Sequence, residues 1–210
     1  MQLPQKIFVA GIGTNVGKTV VSAIICEALE ADYWKPVQTG LDEGKDRDTI
    51  QNLISCSKTI IHPSAYELIL PASPNIAADA ENTEIKSEQL VFPKTNNKLI
   101  IEGAGGLMVP LNKEITTLDF IAEHTLDVVL VANDYLGCIN HTLLSLLALK
   151  SRNISVLFGV FNGFTNEAVK KTIQNFSDCK WLNIESAKNV DRNFISSQAK
   201  KIKDELSAVG

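Results

Sequence analysis

The sequence predicts a doubly wound α/β fold, in which a mostly parallel sheet is flanked by helices. Two observations lead to this prediction. Short apolar segments, such as residues 7–10 and 128–131, alternate along the chain with longer segments of helical character. A glycine-rich turn, residues 11–19, joins the first apolar segment to the first helical one. We expect residues 1–210 to form a single domain.

The predicted elements follow one another in strand–helix order. We predict strands over residues 6–10, 32–38, 98–102, 127–132, 154–161 and 181–184. The second of these strands is expected to break at Pro36, and the last is expected to lie at the edge of the sheet. We predict helices over residues 18–31, 49–54, 84–91, 117–123, 141–150, 167–176 and 194–206. Residues 58–80 contain three prolines and are expected to be irregular. The ligand of such a sheet binds beyond the carboxyl ends of its strands.

The turn after the first strand has the composition of a phosphate-binding loop, which predicts a P-loop NTPase-like fold. Backbone N–H groups of such a loop favour an anion, and Lys18 adds a positive charge for the terminal phosphates. The hydroxyl of Thr19 can bind a magnesium ion that bridges these phosphates. Ile12 occupies the usual first glycine position and Gly11 precedes it, so we expect a subclass of these loops. A glycine-rich turn without a ligand is the alternative.

Composition and charge argue against several other classes of protein. The net charge of −4 argues against a dedicated nucleic-acid binder. No apolar run approaches the roughly 18 residues of a membrane span, and residues 1–6 are too short and polar for a signal peptide. The four cysteines are far apart and form no Cys-x-x-Cys pair. We therefore expect a cytoplasmic protein with free thiols, and neither nucleic acid nor membrane as a partner.

Charged residues follow two of the predicted strands. Glu102 ends the apolar segment 98–102, and four small residues come after it. A carboxylate beside a phosphate loop can bind magnesium, so Glu102 is a candidate metal ligand and Asp48 a second one. A solvated strand end and a helix cap are the respective alternatives. Lys35 follows the second strand and is expected to project toward the phosphates, although an exposed surface lysine is the usual interpretation.

The order of the motifs resembles that of the dethiobiotin synthetase family. The chain has Gly-x-x-Thr-x-Val-Gly-Lys-Thr, Lys-Pro-Val-x-Thr-Gly, an acidic loop, a Ser-Pro segment, Glu-Gly-Ala-Gly-Gly and Leu-Gly-Cys-Ile-Asn-His between residues 8 and 162. The resemblance implies an ATP-driven, Mg2+-dependent cyclo-ligase. In this reaction 7,8-diaminononanoate takes up CO2 as a carbamate, and ATP converts the carbamate to a carbamic–phosphoric anhydride. The second amine then closes the ureido ring and releases phosphate, giving dethiobiotin and ADP.

The resemblance also implies roles for individual residues. Lys18 and Lys35 would be catalytic, neutralising the phosphates and the carbamate. Thr19, Asp48 and Glu102 would bind Mg2+. The implied nucleotide ligands, of which the last reads the base, are Gly13, Thr14, Asn15, Val16, Gly17, Lys18, Thr19 and Asn162. The implied substrate ligands are Thr14, Lys35, Thr39, Gly105, Gly106, Cys138 and Asn140.

The family implies a homodimer, with Cys138 and Asn140 near the substrate carboxylate of the partner subunit. His141 would start a helix at this interface, as a capping or core residue and not a catalytic one. Two departures from the family pattern affect the nucleotide. Many relatives have acidic residues where this chain has Gly13 and Asn15. Residues 178–184 replace a Pro-x-Leu-Gly-x-Ile-Pro segment, so ATP is expected but looser base selectivity stays open.

Three other functions compete with this interpretation. A partitioning or targeting ATPase of the deviant-loop type would need a lysine where the chain has Gly13. The amide-forming synthetases of corrinoid synthesis carry an additional glutaminase domain, for which 210 residues leave no room. A non-catalytic nucleotide-binding module would need neither the two carboxylates nor Lys35.

Overall fold

A computed structural model describes residues 3–207 and confirms the predicted α/β fold. Its strands and α-helices, in chain order, are β1 (Lys6–Gly11), α1 (Lys18–Leu29), β2 (Asp32–Trp34), β3 (Val37–Gln38), α2 (Asp46–Leu53), β4 (Tyr66–Glu67), α3 (Pro74–Ala80), β5 (Leu99–Gly106), α4 (Thr117–Glu123), β6 (Asp127–Asn133), α5 (Cys138–Ser151), β7 (Val156–Asn162), α6 (Glu167–Asn175), β8 (Trp181–Ile184) and α7 (Arg192–Ser207). Two short 3₁₀ helices, Leu41–Glu43 and Ser87–Gln89, lie in the connections. Of the helices described between residues 3 and 207, none has the length and apolar character that a bilayer crossing requires.

The main sheet has six parallel strands in the order β2-β5-β1-β6-β7-β8. β1 lies inside the sheet, where Phe8 is opposite Ile101 of β5 on one side and Val128 of β6 on the other. The chain leaves β1 toward β2 and later returns across β1 from β5 to β6. The strand order therefore reverses beside β1, and the crevice at its carboxyl end is where a doubly wound sheet binds its ligand.

Helices cover both faces of this sheet because right-handed crossovers in opposite directions place them on opposite sides. On one face α1 contacts both α7 and α2. On the other face α5 contacts α6. The inner strands are almost fully buried between these layers, which accounts for their β-branched, apolar sequences.

The predicted second strand, residues 32–38, is divided into two strands that belong to different sheets. β2 joins the edge of the main sheet beside β5, whereas β3 pairs with β4 in a separate two-stranded parallel sheet. Pro36 lies between them and cannot donate a ladder hydrogen bond. The division leaves Lys35 at the carboxyl end of β2, where it faces the crevice.

Two other segments differ from the prediction. Residues 58–80 are not wholly irregular, because they contain β4 and α3. Pro74 starts α3 instead of interrupting the segment, since proline at the first helical position loses no hydrogen bond. The helix predicted over residues 84–91 is wrong, because only the 3₁₀ helix Ser87–Gln89 forms there.

Most of the other predicted bounds differ from the observed ones by one to three residues. The prediction for α4 and β8 is confirmed at both ends. Three helices begin earlier than predicted, α2 at Asp46, α5 at Cys138 and α7 at Arg192, and the first two shifts affect predicted site residues. Gly137, with φ of 105°, forms the N-cap of α5 in a conformation that glycine adopts readily.

Candidate active site

The loop between β1 and α1 is held in a defined conformation by glycine and by the end of β7. Gly17 has φ of 89° and forms the N-cap of α1. The Asn162 side-chain amide donates a hydrogen bond of 3.0 Å to the Val16 carbonyl, and a Cβ at Gly17 would lie 2.0 Å from that nitrogen. Glycine offers no side-chain cap, so the first N–H groups of α1 are left to an anion.

Lys18 is buried at this loop, with only 7% of the residue exposed. Its Nζ donates a hydrogen bond of 3.1 Å to the Gly13 carbonyl. Burial lowers the pKa of Lys18 from its ordinary value, and the nearby Glu102 carboxylate acts in the opposite direction. Lys18 therefore lies at the loop where phosphate groups would add negative charge and raise this pKa again.

Two carboxylates and a hydroxyl meet beside the loop. Thr19 Oγ1 lies 2.8 Å from Asp46 Oδ1 and 2.9 Å from Glu102 Oε1. A hydroxyl has one proton and can donate it to only one of these acceptors at a time. Three oxygen atoms of the kind that Mg2+ prefers thus converge on one position. Between residues 3 and 207 no three His, Cys, Asp or Glu side chains gather into a possible metal site, so an ion here would share its ligands with phosphate and water.

Lys35 supplies positive charge to the same group. Its Nζ forms an ion pair with Asp46 and lies 3.5 Å from Glu102 Oε1. Burial by itself would lower the pKa of Lys35, but the two carboxylates outweigh it and raise this pKa above its ordinary value. For Asp46 burial acts upward, and the ion pair with Lys35 outweighs it, so the pKa of Asp46 is lowered. Both groups are therefore charged at neutral pH.

The structure does not place Asp48 with Thr19 and Glu102, and this corrects the prediction that Asp48 belongs to the group. The Asp48 side chain is 66% exposed and lies 3.6 Å from Arg47 Nε. Asp46 takes the predicted position instead. The reason is that α2 begins at Asp46, and two residues in a helix point about 200° apart. The helix start, and not the acidic composition of the loop, decides which carboxylate faces the site.

Sequence reasoning missed two residues that support this group. Tyr33 donates a hydrogen bond of 2.9 Å from its hydroxyl to Glu102 Oε2, and burial raises its pKa well above the ordinary value. The Gln38 side chain accepts a hydrogen bond of 3.0 Å from the Asp46 backbone N–H, at the start of α2. A tyrosine in a buried strand needs a partner for its hydroxyl, and this requirement is the signal that could have pointed to Tyr33.

A cavity of about 770 Å3 opens beside these side chains. Of the predicted site residues it is lined by Thr14, Asn15, Gly17, Lys18, Thr19, Lys35, Thr39, Glu102 and Gly105. Its lining also includes Gln38, Glu43, Asp46, Ser73 and Val109, which were not predicted. Gly105 has φ of 66°, and a Cβ there would lie 2.8 Å from a Val109 methyl group. A Cβ on Gly106 would lie 3.6 Å from the Gly13 Cα, so this strand end passes close to the phosphate loop.

The remaining predicted residues lie outside this cavity. Cys138 is buried at the first position of α5, and Asn140 is exposed two residues later. His141 lies in the first turn of α5 instead of starting the helix, and its Nδ1 is 2.6 Å from the Tyr135 hydroxyl. Asn162 contacts the loop through Val16. α5 and the turn before it also expose the apolar side chains of Leu136, Leu144 and Leu147.

The parallel sheet and the phosphate loop define a P-loop NTPase-like protein. The septum site-determining protein MinD of Pyrococcus horikoshii, whose structure contains Mg-ADP, aligns with 97% of this chain and 97% of its own, with a TM-score of 0.58. At 14% identity this likeness shows the fold alone. A family model described as an AAA domain matches residues 5–190.

Full-length relatives narrow this class further. An ATP-dependent dethiobiotin synthetase BioD of Cytophaga hutchinsonii is 45% identical over 202 residues, which are 95% of this chain and 98% of the relative. The protein of the same name from Christiangramia forsetii is 40% identical over 208 residues, covering 99% of this chain and 100% of the relative. The chain belongs to the dethiobiotin synthetase family.

Proposed function

We propose that this chain converts 7,8-diaminononanoate, CO2 and ATP into dethiobiotin, ADP and phosphate. The observation that carries the proposal is the group formed by Lys18, Thr19, Lys35, Asp46 and Glu102 beside the phosphate loop, in a chain whose relatives are named for this reaction. The group lines a cavity of about 770 Å3, which has room for a small substrate next to a triphosphate.

The oxygen atoms of Thr19, Asp46 and Glu102 would hold Mg2+. The donor set fits this ion, because two carboxylates and a hydroxyl provide hard oxygen ligands on one side and leave the other side to phosphates and water. The bound ion would offset charge on the phosphate oxygens during transfer. Asp48 has no part in this proposal, because its side chain points to solvent.

The protein would act mainly by positioning charged reactants. One amine of the substrate takes up CO2, loses a proton and becomes a carbamate. A carbamate oxygen then attacks the γ-phosphorus of ATP, and the bond to the ADP oxygen breaks. The second amine attacks the carbamate carbon, loses a proton, closes the ring and expels phosphate with that oxygen. Lys18 would offset the charge on the phosphates, and Lys35 that on the carbamate, since both line the cavity beside the loop.

Neutral groups of the cavity would orient the substrate. Thr14 and Thr39 line the cavity, and their hydroxyls would hydrogen-bond the carbamate and the amines. Gly105 and Gly106 would allow the substrate to approach the backbone near the phosphate loop. The oxygen of the Asn162 side-chain amide would read the nucleotide base, because the amide nitrogen already donates a hydrogen bond to the Val16 carbonyl. Residues 13–19 would enclose the phosphates.

We also propose a homodimer in which α5 forms part of the interface. Leu136, Leu144 and Leu147 expose more than half of their surface each, and such an apolar face is typical of an interface between copies. Asn140 and the backbone at Cys138 would then reach the substrate carboxylate in the partner subunit. The cysteines are free, which supports a reducing cytoplasmic location.

A product assay tests the reaction. Purified protein is mixed with 7,8-diaminononanoate, bicarbonate, Mg2+ and ATP, and dethiobiotin is measured by mass spectrometry. We expect product only when all components are present, and none with Glu102→Gln. ATP hydrolysis without dethiobiotin would mean that the loop binds nucleotide but that the substrate is wrong. Parallel reactions with GTP and CTP decide whether base selection is strict.

A further inference from the structure

Tyr33 is the most deeply buried polar side chain next to the charged group, which is formed by Lys18, Thr19, Lys35, Asp46 and Glu102. It lies in the middle of β2, at the edge of the main sheet, and is 0% exposed. Its hydroxyl donates a hydrogen bond of 2.9 Å to Glu102 Oε2, which lies on the neighbouring strand β5. Glu102 itself is 1% exposed. A tyrosine hydroxyl is thus placed beneath a carboxylate that water hardly reaches.

The two oxygen atoms of Glu102 have different neighbours. Oε2 faces the interior and accepts from Tyr33. Oε1 faces the cavity, 2.9 Å from Thr19 Oγ1 and 3.5 Å from Lys35 Nζ. The terminal torsion of a glutamate is broad and roughly two-fold, so packing alone does not fix the plane of its carboxylate. The hydrogen bond from Tyr33 supplies the missing constraint.

We propose that Tyr33 is a positioning residue, which holds the Glu102 carboxylate so that Oε1 alone is presented to a divalent cation. This inference rests on the proposed function, in which Thr19, Asp46 and Glu102 bind Mg2+. Hydrogen bonds to metal-binding carboxylates orient them, and their loss typically lowers metal affinity about 10- to 100-fold. Tyr33 does not itself line the cavity, and its hydroxyl reaches the site through Glu102, so its effect passes through this carboxylate.

The substitution Tyr33→Phe removes the hydroxyl and keeps the ring. Mn2+ binding to the enzyme with ADP is titrated by electron paramagnetic resonance, which detects the free ion and requires no turnover. We expect the Mn2+ dissociation constant to rise about tenfold. The Mg2+ concentration for half-maximal turnover should rise by the same factor.

Tyr66→Phe is the matched control. The Tyr66 hydroxyl bonds to Gln89 and accepts from the Lys86 backbone N–H at 3.0 Å, away from the charged group. This variant loses a tyrosine hydroxyl of the same kind and should bind Mn2+ with wild-type affinity. Thermal unfolding of both variants separates a loss of stability from a loss of metal affinity.

A double-mutant cycle with Glu102→Gln decides whether Tyr33 acts through Glu102. In that background Tyr33→Phe should change the Mn2+ dissociation constant by less than about twofold. Wild-type Mn2+ affinity in Tyr33→Phe would overturn the inference and leave the metal site intact. Equal Mn2+ affinity in the wild type and in Glu102→Gln would overturn the metal site itself, and the inference with it.

Discussion

The two ends of β2 carry buried groups of opposite charge in different surroundings. At the start of the strand, Asp32 is fully buried and accepts hydrogen bonds of 2.9 Å from the Ile60 N–H and from the Asn97 side chain. His62 Nε2 lies 3.1 Å from its other oxygen. Just beyond the end of the strand, Lys35 meets two carboxylates and lines the cavity.

Burial of a charge therefore does not by itself distinguish a structural group from a functional one. The Asp32 oxygens are satisfied by donors from two separate connections, near residues 60–62 and 97, and they tie these segments to the sheet. At Lys35 the neighbouring Thr19 hydroxyl is shared between two acceptors, and the group opens to a cavity. We expect changes at the first end to alter stability and changes at the second to alter catalysis.

The largest expected effect is the loss of turnover when a residue of the charged group near the carboxyl end of β2 is replaced. Lys18→Ala or Glu102→Ala should lower kcat/KM by about a thousandfold or more, because each removes charge that the transferred phosphoryl group requires. Steady-state kinetics measure this loss, and circular dichroism should show a retained fold. Lys58→Ala serves as the control, since this exposed lysine pairs with Glu30 far from the cavity lining. Near-normal activity in either site variant would refute the site assignment.

At the other end of β2, Asp32→Ala should destabilise the protein by about 3 kcal/mol, because it leaves buried donors without their charged acceptor. Urea unfolding measures this change. The folded fraction should keep its kcat within a factor of about two. Asp204→Ala, at an exposed position of α7, should change stability by less than about 0.5 kcal/mol. A strong fall in kcat with unchanged stability in Asp32→Ala would contradict the purely structural role that we assign to this end of β2.

A smaller effect separates the two aspartates of α2. Asp46→Asn should raise the Mg2+ concentration for half-maximal activity about 30-fold, because it weakens a group that contacts both Thr19 and Lys35. Asp48→Asn should leave that concentration unchanged, since its side chain faces solvent. Titration of activity with Mg2+ compares the two. A larger rise for Asp48→Asn than for Asp46→Asn would instead support the prediction from the sequence that Asp48 binds the metal ion.

The smallest effect is a pH dependence of stability at Asp32. Burial would raise the pKa of Asp32, but hydrogen bonds from Asn97, Thr95 and the Ile60 N–H outweigh it and hold this pKa below its ordinary value. Its contribution is therefore fully present above the unfolded-state pKa of about 3.9 and is lost as pH falls through the lower folded-state pKa. Urea unfolding between pH 7 and pH 3 should show a steeper loss for the wild type than for Asp32→Asn. If the stabilities of the two proteins fell in parallel with pH, the predicted lowering of the Asp32 pKa would be contradicted.

The sequence was sufficient where a local pattern dictates the structure. The phosphate loop, Lys18 and Thr19 follow from one contiguous motif, and Glu102 from the end of an apolar strand. It was insufficient where the structure depends on where an element begins or which strands pair. Asp46 replaced Asp48 because α2 starts earlier, and Tyr33 reaches Glu102 only because β2 lies beside β5. The pairing of β3 with β4 joins residues 29 positions apart, Val37 with Tyr66 and Gln38 with Glu67, which local propensity does not encode.

The path of one oxygen atom tests the central claim that this cavity couples the phosphate loop to a carbamate. A single turnover is started with C18O2 in unlabelled water and stopped before the label exchanges with the solvent. Phosphate and dethiobiotin are then analysed by mass spectrometry. We predict one 18O atom in the phosphate for each dethiobiotin formed, because a carbamate oxygen attacks the γ-phosphorus and leaves with it. Unlabelled phosphate formed together with dethiobiotin would contradict the account.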